Sequence, residues 1–161
     1  MTQKVIDTFD LDYDFLSNFY PCDVTYKGIT YPSSEAAFHA QKTTDVYQQV
    51  RFTNMNPSQA KRAGRQLDLR PDWEDVKYQI MYDIVLQKFI QNDDLQRKLL
   101  NTEDAELIEG NWWGDKYWGV CHGIGQNNLG KILMDVREYL QTVRNALFVL
   151  PTPKDWNIED G

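Results

Sequence analysis

The sequence is poor in the residues that build covalent or metal-bound frameworks: it has two cysteines and two histidines in 161 residues. Cys22 and Cys121 do not make the disulfide framework of a small secreted domain, so both are read as reduced thiols. Cys121 and His122 are adjacent and His39 is the one other imidazole, which gives no zinc-ligand spacing. Long apolar runs are absent too, and no stretch approaches the ~20 residues of a membrane span. The first fourteen residues carry four acids and no apolar core, which argues against a signal peptide. Together these absences predict a cytoplasmic protein with no membrane partner. Positive charge is scarce: 17 Lys and Arg face 24 Asp and Glu, a net charge of -7. That balance does not suit tight, non-specific binding to nucleic-acid phosphates. It leaves open reaching one nucleotide at a chain end or in a loop.

What the chain has in quantity is aromatic surface, with five Trp, nine Tyr and seven Phe. Its length suits one domain with a real core. Residues 4–9 and 105–109 read as short strands. Residues 24–31 read as a hairpin turning at Lys27-Gly28, where Gly28 tolerates φ > 0. A Ser-capped helix begins at Pro32-Ser33-Ser34-Glu35 and runs to about Lys42. A second begins at Asn56-Pro57, with Gly64 placed to end it. Asp72 is read as the cap of the clearest helix, striped by Trp73, Val76, Ile80 and Ile84 with Met81 and Val85 beside them, ending near Asn92. Asp93 or Asp94 starts a shorter helix holding Leu95, Leu99 and Leu100. A last helix from Asn128 carries Leu129, Ile132, Leu133, Val136, Leu140, Val143 and Leu147. These pieces predict a mostly helical α+β domain with a small antiparallel sheet over residues 1–148. An acidic C-terminal tail over 149–161 follows, which Trp156 is placed to pin.

Residues 110–130 fit no such pattern. They hold six of the nine Gly and three of the five Trp, namely Trp112, Trp113 and Trp118. A long loop combining both suits a planar ligand such as a nucleobase; the plain alternative is a loop that packs its rings into the core.

Several ordered motifs then resemble one family. They are Phe15-Leu16-Ser17-Asn18-Phe19 with Pro21 and Gly28; Tyr31-Pro32-Ser33-Ser34-Glu35; Phe38 with Ala40-Gln41-Lys42; and Gly64-Arg65. Leu69-Arg70, Asp72-Trp73-Glu74, Lys77, Met81 and Lys88-Phe89 follow. Leu99-Leu100 with Thr102, and Leu107 through Glu109, continue the series. It closes on Asp115-Lys116-Tyr117-Trp118-Gly119, Gly125, Asn127, Leu129-Gly130, Leu133-Met134 and Arg137. Over about residues 15–140 the chain resembles the NADAR domain family, departing from its pattern at Ala36, Ala37 and His39. The resemblance implies an N-glycosidase acting on glycosylamine bonds, with no metal and no organic cofactor. Some members hydrolyse early riboflavin intermediates and others remove ADP-ribose from the amino group of guanine. The implied substrate is thus small and nucleotide-like, either ADP-ribose-linked or a ribosylamino-pyrimidine phosphate, with ADP-ribosylated nucleic acid as a further partner.

Cleaving a ribosyl C1–N bond builds positive charge on the sugar, which carboxylates stabilise. The resemblance makes Glu35 the first catalytic candidate, although an acid in a first helical turn needs no other role. Asp115 is the second; its alternative is a turn Asp bonding its own backbone. Lys42, seven residues beyond Glu35 and so on the same helical face, suits a Schiff base or a phosphate contact, or is a solvated Lys. Glu109 positions a ribose hydroxyl or simply ends a strand. Arg65 suits a phosphate. Trp73 and Trp118, the latter with Gly119 beside it, suit stacking, with core packing the alternative for Trp73. Asn18 and Asn127 bond ribose hydroxyls or cap turns. His39 reads as a helix-face residue and His122 as a loop residue, neither with a partner visible in the sequence. Two rival functions remain: a non-catalytic ADP-ribose or nucleotide-binding module, and an interaction protein using the exposed Trp loop.

Overall fold

The computed structural model describes residues 3–149, with side chains to Leu147. The tail and Trp156 lie outside the described residues. Two long helices organise the rest. α4 (Trp73–Gln91) buries Trp73, Ile80, Met81, Ile84, Val85 and Phe89, the expected stripe with Val76 only partly covered. α6 (Asn128–Val149) buries Leu129, Ile132, Leu133, Val136 and Leu140 against it. The stripe then leaves the core: Val143 is half-buried and Leu147 is 60% exposed. α5 (Asp93–Leu100) adds Leu95 and Leu99. Among the described residues no helix is long and apolar enough to cross a membrane.

α1 (Ser34–Ala40) is buried at every residue, which Ala36, Ala37 and Ala40 permit by letting neighbouring backbone come close. α3 (Pro57–Gln66) packs on it after a reciprocal capping box between Asn56 and Gln59. α3 does not end at Gly64 as expected; that glycine is interior and faces α1. Between them lies a helix not foreseen, α2 (Val46–Arg51), capped by Asp45. It buries no residue, so it has no apolar stripe to betray it. From 46 to 67 the chain carries Arg51, Lys61, Arg62 and Arg65 and no acid. Asp72 precedes α4 as expected but makes no capping bond; its carboxylate grips Arg70 instead, at 2.6 and 3.1 Å.

The expected small antiparallel sheet is in fact three separate strand pairs. β2 (Val24–Tyr26) and β3 (Ile29–Tyr31) form the foreseen hairpin, with Lys27 at φ 50° and Gly28 at φ 83°. β1 (Val5–Ile6) pairs parallel with β4 (Glu106–Leu107), in register Val5 to Glu106 and Ile6 to Leu107. β5 (Gly110–Asn111) pairs parallel with β6 (Val120–Cys121), so the Gly- and Trp-rich segment is not wholly loop. The mostly helical α+β class stands; the sheet differs because strands of two or three residues leave almost no period to read.

Candidate active site

Glu35 is held by the way α1 starts. Ser33 Oγ accepts the Ala36 N–H at 3.0 Å, which places Glu35 in the first turn of a wholly buried helix. One turn later His39 reaches back, its Nε2 2.7 Å from Glu35 Oε1. His39 Nδ1 is buried without a partner and faces Gly64. A protonated Nδ1 would waste a buried donor, so the tautomer that fits has Nε2–H donating to Glu35. His39, read from sequence as unpartnered, is thus the residue that orients the leading carboxylate; the i, i+4 spacing was the available signal. Gly64 exists for this contact, since any Cβ there would run into the His39 ring. Gly64→Ala, normally favourable in a helix, is therefore expected to lower stability by about 1–3 kcal/mol through overpacking. It should also cut activity by displacing His39; a raised melting temperature would contradict the account.

A second anchor comes from α4. Lys88 is 1% exposed, and its Nζ donates to the carbonyls of Phe15 (2.7 Å) and Ser17 (3.0 Å). Burial pushes its pKa down to about 8. The pinned segment continues into Asn18, whose carbonyl accepts the Glu35 N–H at 3.0 Å. The Asn18 side chain is engaged as well: Oδ1 accepts from Ser34 Oγ at 2.9 Å and Nδ2 faces Met81 Sδ at 3.5 Å. Asn18 lines the cavity, but its amide is committed to neighbours rather than turned to a ribose.

The opposite wall is built on β4, β5 and β6. Glu109 leaves the end of β4 with Oε2 sealed from solvent and without a partner. Burial pushes its pKa up to about 8, helped by Asp115 and Glu35 and opposed by Lys61, so this carboxyl is protonated at neutral pH. Asp115 Oδ1 accepts from the N–H groups of Tyr117 (3.1 Å) and Trp118 (2.9 Å). The turn role considered for it is real, and it coexists with a place in the cavity wall. Two expected ligand contacts lie elsewhere. Asn127 is not in the cavity wall: its Nδ2 donates to Leu107 O and its Oδ1 accepts the Glu109 N–H, both at 2.9 Å. Gly119 lies behind Glu109, where a Cβ would stand 2.5 Å from Oε2. Both pack against Glu109.

These walls enclose a cavity of about 640 Å³. It brings together Glu35, Glu109, Asp115, Lys42, Arg65, Asn18, Trp73 and Trp118 of the expected residues, and leaves out Gly119 and Asn127. Lys42 lies just beyond the end of α1, half-buried; burial and the Arg65 and Lys77 charges draw its pKa below the usual lysine value, while Glu35 opposes them. Trp73, 5% exposed, is both core and cavity wall. Phe38 centres the aromatic lining, with ring centroids 5.2 Å from Trp73 and 5.4 Å from Trp118. Sequence reasoning gave Phe38, Lys61 and Lys77 no place in the cavity; Phe38 and Lys77 stand in the family motifs, which was the available signal, and Lys61 carries none. Among the described residues no three His, Cys, Asp or Glu gather as metal ligands.

Residues 6–141 match the NADAR domain. The chain belongs to the NADAR domain family. This NADAR chain is 43% identical over 136 residues to Riboflavin biosynthesis protein VVA0006 of Vibrio vulnificus, a match covering 82% of this chain and 37% of that protein. It therefore spans little more than a third of that relative's length. It is 41% identical over 133 residues to N-glycosidase YbiA of Escherichia coli, covering 80% of this chain and 82% of that one. The NMR structure of E. coli YbiA superposes with a TM-score of 0.79 at 36% identity, over 90% of each chain.

Proposed function

We propose that this NADAR chain is an N-glycosidase that hydrolyses a ribosyl C1–N bond in a phosphorylated, base-bearing glycosylamine. The enzyme class rests on relatives named N-glycosidase at about 40% identity over most of the chain. The substrate and residue roles are our reading. The observation that carries it is convergence: Glu35, Glu109 and Asp115 meet in one aromatic-walled cavity whose helical side carries Lys42, Arg65 and Lys77.

The chemistry follows from the two unlike acids. Protonated Glu109 donates its proton to the leaving nitrogen while the C1–N electron pair departs with the base. Glu35, oriented by His39, offsets the positive charge growing on C1 and the ring oxygen, with Asp115 in support. Water then adds to C1 and its proton passes to a carboxylate, leaving free base and a ribosyl hydroxyl. Arg65 and Lys77 meet the phosphate. A second route uses Lys42, whose lowered pKa keeps more free amine than an ordinary lysine. On a ring-opened sugar it adds to the C1 imine, the base leaves as its amine, and water hydrolyses the lysine imine to the aldehyde and free lysine.

Two substrates fit these demands: ADP-ribosylated guanine, free or within nucleic acid, and the phosphorylated pyrimidine intermediates of riboflavin synthesis. Chromatography of each with the purified chain separates them, since the tube that releases base names the substrate. Release from neither would favour a nucleotide-binding module without turnover. The Glu109 role predicts that kcat/KM falls above about pH 8, as the proton it must donate is lost. A pH–rate profile checks this; a flat profile to higher pH would remove Glu109 as the acid, and Glu109→Gln should abolish the limb.

A further inference from the structure

Three rings stand open at the cavity mouth with no part in the scheme above: Trp112 is 81% exposed, Trp113 49% and Phe19 41%. Leaving that much aromatic surface wet is unfavourable unless something covers it. Hydrogen bonds close the turn that displays the two Trp rings. Asn111 clasps Asp115 at both ends, Nδ2 to the Asp115 carbonyl at 2.8 Å and Oδ1 from its N–H at 3.0 Å, closing the turn that bears both Trp residues. Gly114, at φ 89°, completes that turn. The two indoles meet edge to face, 5.7 Å apart at 87°, so their faces point in perpendicular directions. Lys61 joins them from α3, its Nζ 5.2 Å from the Trp113 ring centre and 6.0 Å from that of Phe19. The turn lies between Glu109 and Asp115 in the chain, so the rings flank the carboxyl groups that would act on C1. The cations suited to phosphate come from the helical side. Lys61 comes from the same helix as Arg65, so it is the turn between Glu109 and Asp115 that sets what the rings cover: the leaving group, beside the carboxyl that would protonate it.

We propose that Trp112, Trp113 and Phe19, with Lys61 between them, form the aglycone subsite, which stacks the planar heteroaromatic base from which the ribosyl group is cut. The rings supply flat apolar surface, and the ammonium supplies donors for the carbonyl or ring-nitrogen edge of such a base. This rests on the N-glycosidase reading and deepens it: the subsite selects planar bases over small, non-planar amines.

The test compares wild type with Trp113→Ala, Trp113→Phe and Lys61→Ala, each first shown to keep its melting temperature. On the substrate that wild type cleaves, Trp113→Ala is expected to raise KM on the order of 10- to 100-fold, the worth of one stacked base, with kcat largely kept. Trp113→Phe should restore most of that loss and Lys61→Ala should show a smaller part of it. Guanosine binding, read by tryptophan fluorescence, should weaken in parallel, while inhibition by ribose 5-phosphate stays unchanged. An unchanged KM, or equal weakening toward guanosine and ribose 5-phosphate, would overturn the assignment. The binding arm needs no turnover. Failure of the hydrolase reading would show as guanosine binding without product, and failure of the subsite as product with no effect of Trp113→Ala.

Discussion

Glu35→Gln is expected to lower turnover by roughly 10²- to 10⁴-fold, the range for losing one well-placed catalytic charge. The substitution is nearly isosteric. The amide oxygen still accepts from His39 Nε2–H, so α1 should keep its packing against α3 and the melting temperature should barely move. What disappears is the negative charge opposite the developing oxocarbenium ion. The measurement is release of free base per unit time under saturating substrate, beside a thermal melt. Turnover within about threefold of wild type, in a folded variant, would move the leading role to Asp115 or elsewhere.

Lys88→Met is expected to produce the largest loss of stability. The buried Phe15 carbonyl loses its donor, and an unpaired buried acceptor costs about 1–3 kcal/mol; the part-buried Ser17 carbonyl keeps the Tyr20 N–H at 3.2 Å. Relief from holding an ammonium out of water offsets part of this. The pH dependence isolates the residue. Its pKa is about 8 in the folded protein and 10.5 as the ordinary value. Between those values the unfolded chain binds a proton that the folded one does not, so this group makes stability rise with pH across that window. Below it both states are protonated and the contribution is constant. Urea unfolding at several pH values should show the wild-type curve rising relative to that of Lys88→Met from about pH 8 upward; parallel curves would refute the buried-charge account. Because the pinned segment leads to Asn18, whose carbonyl holds the Glu35 N–H, activity should fall ahead of global unfolding.

The parts of this molecule that were legible beforehand are those with long periods. α4 and α6 announce themselves through stripes that the core then uses, and α1 and α3 through Ser33 and Asn56 caps that make the expected bonds. The parts that were not legible fail for distinct physical reasons. α2 touches the body without burying a residue, so no stripe marks it. Gly64 looks like a helix terminator in one dimension and proves to be a clearance for His39 in three. Glu109 reads as a strand-end acid or a ribose contact because nothing local says that one of its carboxyl oxygens will be buried without a partner. Asn127 reads either as a ribose contact or as a turn cap because the two look alike in sequence; in the fold its amide bonds Leu107 and Glu109. Helical spacing links Glu35 to Lys42, but only the family resemblance joins Asp115 to them, since no spacing spans eighty residues.

The parallel pairing of β1 with β4 joins residue 5 to residue 106, and its consequence is one of timing. Closing so long a loop is entropically expensive and contributes to high contact order, so this ladder forms late. During synthesis the first strand has no partner until residue 106 has been made. Glu109 stands two residues beyond the last rung of that ladder. Glu109, the proposed proton donor, is therefore set in position only when residue 5 finds residue 106.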